Sequence, residues 1–80
     1  MTNLPNPAWR YSVRVRHAEP HHGRVVVEAS FESAALAYVE DFPLAPDQGP
    51  EISLVVRDIE SGREHCFRIH LETAETTPCA

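Results

Sequence analysis

Lysine is missing altogether: each of the seven basic positions in these 80 residues is an arginine. Cationic contacts therefore fall to a planar, five-donor fork, a group suited to bidentate capture of carboxylate or phosphate. GC-rich coding of an Ala-, Val- and Pro-rich chain produces the same bias. The arginines thus carry functional meaning only where they share a surface. Long apolar runs are absent too, and no stretch approaches the roughly 20 residues of a membrane-spanning helix. Nor does the N-terminus lead from basic residues into an apolar core, so the expected location is the cytoplasm.

The chemistry-bearing motifs are equally sparse. The sequence holds no CxxC or HExxH spacing and no phosphate-binding glycine loop, and its glycines number three. No catalytic triad or carboxylate pair stands out above chance, which argues against an enzyme. Cysteine is limited to Cys66 and Cys79. A bond between them would close a short loop worth about 3 kcal/mol, but without a secretory signal the expectation is two free thiols. A net charge of −5 counts against a nucleic-acid binder, whose affinity rests on neutralising phosphates.

What is present fits one small domain. A chain of 80 residues buries only about two thirds of its unfolded surface. Its 42% hydrophobic and 24% charged content is ordinary for a globular protein. Trp9 to Arg16 alternates strictly, with Trp9, Tyr11, Val13 and Val15 against Arg10, Ser12, Arg14 and Arg16, as in a half-buried strand. Arg24 to Ala29 reads as a second strand with Val25, Val27 and Ala29 inward, and Arg14 is expected opposite Glu28.

From Phe31 the period becomes helical, with Phe31, Ala34, Ala35, Tyr38, Val39 and Phe42 on one stripe. Ser30 is the expected N-cap and Pro43 the stop. Residues 43 to 50 read as a loop. A closing hairpin follows, in which Ser61-Gly62 as a two-residue turn, or a four-residue loop from Glu60 to Arg63 of the same parity, sets Ile52, Leu54, Val56 and Asp58 opposite Leu71, Ile69, Phe67 and His65. The expected core is Trp9, Val13, Phe31, Tyr38, Leu54, Val56, Phe67 and Ile69. Residues 1–8 and 73–80 are expected to be flexible tails around a single 9–72 domain. The fold class is α+β: strand, strand, helix, strand, strand, with the helix on a mainly antiparallel four-stranded sheet in a β-grasp-like arrangement.

Three functional readings follow. The favoured one is a non-enzymatic binding module that uses an open sheet face or a strand edge. Alternation in the first strand and parity in the hairpin put Arg14, Arg16, Arg57 and Arg68 on the side away from the helix. That side would meet an acidic protein or an anionic ligand. The second reading is a metal or thiol role. His17, His21 and His22 share one loop, and a β-grasp would bring His70 toward it. Zinc or a similar ion could then bind with Glu19 or Cys79 as a further ligand, or the Cys79 thiol could itself serve sulfur or redox chemistry. The third is a homodimer formed through the open sheet.

Overall fold

The computed structural model describes residues 8–19, 22–41 and 49–79. The expected stop at Pro43 and most of the 43–50 loop lie outside them, as does nearly all of the N-terminal tail. The elements are β1 (Trp9–Val15), β2 (Arg24–Glu28), α1 (Phe31–Asp41), β3 (Glu51–Asp58), β4 (Glu64–His70) and β5 (Thr76–Pro78). The fold is a small α+β domain, one helix on a five-stranded sheet of order β2-β1-β3-β4-β5 in which every neighbouring pair is antiparallel.

This order replaces the β-grasp arrangement. β1 pairs antiparallel with β3, through Val13 opposite Val56 and Val15 opposite Leu54, and not in parallel with the last long strand. Since β2 and β3 flank β1, the chain must cross over β1 between them, and α1 makes that crossing. Ser30 caps the helix as expected. Its Oγ accepts the Ser33 N–H at 3.1 Å while the Ser33 Oγ accepts the Ser30 N–H at 3.1 Å, a reciprocal cap worth about 1 kcal/mol. Ala34 and Ala35 are wholly buried, and their small side chains let the helix backbone approach the sheet.

The buried core consists of Tyr11, Val13, Ala34, Ala35, Ile52, Leu54, Val56 and Ile69, with Phe31, Tyr38, Phe67 and Val26 partly buried around it. Three local expectations fail. Trp9, placed in the core by alternation, sits at the start of β1 and is 46% exposed. β2 is turned over: Val26 faces the helix, whereas Val25 and Val27 are 60% and 59% exposed on the other side. Glu28 accordingly lies opposite Trp9 and not Arg14.

The β3/β4 hairpin keeps its expected parity but slides by two residues, so that Ile52 meets Ile69, Leu54 meets Phe67 and Val56 meets His65. The turn residues set that slide. The Asp58 carboxylate accepts the N–H groups of Glu60 and Ser61, the Gly62 N–H reaches the Asp58 carbonyl, and Gly62 takes a positive φ of 77°. The result is a four-residue loop between Asp58 and Arg63. The expected His65–Asp58 pair is therefore not formed. His65 stacks edge-on against Phe31 with centroids 4.3 Å apart.

Candidate functional site

The face away from α1 is built by cross-strand rows. Ser12 of β1 lies opposite both Val25 of β2 and Arg57 of β3, and Arg57 lies opposite Glu64 of β4. The next row holds Arg14, Val55 and Cys66. One row further, the Arg16 N–H bonds the Ser53 carbonyl at 2.9 Å, and Ser53 lies opposite Arg68. Arg57, Arg14 and Arg68 thus occupy consecutive rows of one surface, with Arg10 opposite Val27 on the same face and Arg16 in the turn just beyond β1.

A shallow depression of about 260 Å³ opens in this surface, lined by Ser12, Arg14, Val55, Arg57, Ile59 and Glu64. Arg14 and Arg57 are diagonal neighbours on adjacent strands, a spacing at which long side chains still meet. Arg14 is fixed from behind: its Nη1 donates to the carbonyls of Arg16 at 3.1 Å and Ala18 at 3.3 Å. Those bonds leave Nε and Nη2 of the same guanidinium pointing donors elsewhere. The Arg57 guanidinium reaches over the loop, within van der Waals range of where a side chain on Gly62 would begin. Glu28 is on the helix side, and Glu64 and Glu51 are carboxylates that the described strands place on this face.

The family model for DUF5961, described as a family of unknown function, matches residues 9–80. The chain belongs to DUF5961. No curated protein and no solved structure matches it. The family match in DUF5961 begins with the first residue of β1 and runs past β5, so it takes in the segment beyond 72 that the sequence reading leaves as tail.

That segment holds the largest correction. Thr76–Pro78 pairs with β4, Arg68 opposite Thr77, and the Cys79 N–H bonds the Cys66 carbonyl at 3.0 Å. Cys66 and Cys79 thus face each other across two strands with Cα atoms 5.3 Å apart, joined as a disulfide. Cys79 is therefore bonded to Cys66 and not a lone thiol on a tail. Sequence reasoning could not find the bond because it left β5 out; the only signal was the even cysteine count.

His70 loses the adjacency to the His17/His21/His22 loop that the β-grasp implied. β3 separates β1 from β4, so His70 lies opposite Glu51 while His17 is exposed in the turn after β1. His22 is exposed too, in the single helical turn its N–H makes to the Glu19 carbonyl. His21 lies outside the described residues. Among those described, no three His, Cys, Asp or Glu side chains gather to hold a metal ion. The buried Nδ1 of His70 has no hydrogen-bond partner among them, and nothing in the structure explains it.

On the helix side, Tyr11 packs against Phe31 at 4.9 Å and lies opposite Asp58. Burial first, and the Asp58 carboxylate second, push its phenol above the ordinary value of 10.0. The folded state then holds this proton longer than the unfolded chain does. The resulting stability is complete below about pH 10 and is lost as pH rises through the folded value. Melting temperatures taken from about pH 9 to about pH 11.5 should fall for the wild type and fall less for Tyr11→Phe. Parallel curves for the two would remove the assignment.

Proposed function

We propose that this DUF5961 domain is a non-enzymatic binding module that receives an acidic protein segment on the outer face of its sheet, at the depression between Arg14 and Arg57. The observation that carries the reading is that Arg14 and Arg57, on adjacent strands, line one depression together with Ser12, with Arg68 on the row beyond Arg14. Arg is the side chain best shaped to grip a carboxylate with paired hydrogen bonds, and two of them line this one depression. Val55 and Ile59 supply an apolar floor. The overall −5 charge confines the attraction to this patch and counts against long polyanions.

The working compartment is tied to the cysteines. A disulfide supports an oxidising compartment over the cytoplasm, where thiols are kept reduced.

A fluorescein-labelled glutamate-rich peptide is the probe, followed by anisotropy. Binding should weaken as salt rises from about 50 to about 300 mM, since exposed charges are screened beyond roughly 8 Å at physiological ionic strength. Arg14→Ala/Arg57→Ala should weaken it about tenfold or more, equivalent to about 1.4 kcal/mol. Inorganic phosphate competing at millimolar concentration would identify a general anion site, and a duplex DNA probe should bind poorly. Salt-independent binding, or a double variant that binds as the wild type does, would overturn the reading.

A further inference from the structure

The two edges of the sheet are protected unequally. On one side β5 is three residues long, contains Pro78, which has no N–H to offer a neighbour, and is fastened by the disulfide. On the other side β2 runs Arg24-Val25-Val26-Val27-Glu28 without proline or lysine; its charges stand only at its two ends, and two of the valines between them are more than half exposed. Among the described residues no strand covers it.

The same five residues are complementary to themselves. Reversed and laid alongside a copy with Val26 opposite Val26, the strand sets Arg24 opposite Glu28 at both ends and Val25 opposite Val27 between. Residues directly opposed in an antiparallel pair must share a face, so only slides of two residues compete with this register. Each such slide places a charged end opposite Val26 and forfeits both ion pairs.

We propose that DUF5961 forms a homodimer in which β2 pairs antiparallel with β2 of a second copy about Val26, giving one ten-stranded sheet. A two-fold axis normal to the sheet keeps both outer faces on the same side. Val25 and Val27 of the two copies then close into one apolar strip, which the Arg-bearing surfaces flank. The inference goes beyond the anion-binding reading and does not depend on it, since β2 contributes nothing to the depression.

Sedimentation equilibrium over about 1 to 300 µM tests it, on the scale where a short strand-to-strand contact is expected to associate. The mass of the wild type should rise from the 9.0 kDa of one chain toward twice that value. Arg24→Glu and Glu28→Arg should each weaken the dimer about tenfold, because each sets two like-charge pairs at the seam, and the two changes together should restore it. Arg24 also makes an interaction within its own chain, so circular dichroism accompanies each variant. If a reversal unfolds the protein, Val25→Lys/Val27→Lys, at exposed positions, should dissociate the dimer with the fold kept. A mass of one chain at every concentration, single reversals that dimerise as the wild type does, or a double reversal that stays dissociated would overturn the proposal.

Discussion

Leu54→Ala is expected to destabilise the domain by roughly 2–5 kcal/mol, the range for truncating a large buried aliphatic side chain. Leu54 is completely buried at the middle of β3, between Val15 of β1 and Phe67 of β4 and beneath the helix. None of these neighbours can close the void without moving a strand. A domain this small holds about 5 to 10 kcal/mol in all, so the loss is a large share of the total and should lower the urea midpoint with the slope nearly unchanged. Two substitutions calibrate it. Phe67→Ala should cost less than a fully buried phenylalanine would, since Phe67 is only half-buried, and Trp9→Ala should cost little because the ring is already largely in water. A Leu54→Ala midpoint equal to that of Trp9→Ala would contradict the packing described.

The parts of this fold legible in the sequence are those where polar and apolar residues alternate. β1, β3 and β4 each announce an inner and an outer face, and the helix announces its cap and its stripe. β2 does not. Its three consecutive valines carry no alternation, so its face is fixed only by pairing with β1, which sets Val26 beside Tyr11 and turns Val25 and Val27 outward. Parity also leaves a slide of two residues undecided. The Asp58 carboxylate settles it by binding two loop N–H groups and so starting the turn earlier than Ser61-Gly62 implies. Parity alone determines a face, so the common side of Arg14, Arg57 and Arg68 was legible, whereas Arg16 sits in the turn beyond β1, where parity no longer applies. The depression was not legible, because it depends on Ile59 and Glu64 arriving beside Ser12 in the true register. The addition of His70 to the histidine loop rested on strand order, which local pattern does not encode.

Removing the disulfide should cost about 2–4 kcal/mol, the usual range for closing a short loop. Cys66 and Cys79 are 13 residues apart in sequence, and the bond holds a strand that has little else to hold it. β5 is three residues long, meets β4 alone and ends in Pro78. The turn that brings it back also contains Ala74 at a φ of 62°, a left-handed conformation that costs a residue with a Cβ roughly 1–2 kcal/mol. Backbone bonds partly offset that cost: the Ala74 N–H reaches the His70 carbonyl at 2.7 Å and the His70 N–H reaches the Glu75 carbonyl at 2.9 Å. With the cross-link gone, β5 should be the first element to open, because its far end is then left with the single bond from the Cys79 N–H to the Cys66 carbonyl. Reduction, or Cys66→Ser/Cys79→Ser, should therefore lower the melting temperature. It should also raise amide exchange at Cys79, whose N–H is bonded to Cys66, well before exchange rises at Val13 and Leu54. The same bond makes the compartment measurable: alkylation of protein quenched directly from cells should add no thiol adducts. Two adducts per chain would place it among reduced proteins, and a reduced form that melts with the oxidised one would show that β5 is held by its strand pairing and turn alone.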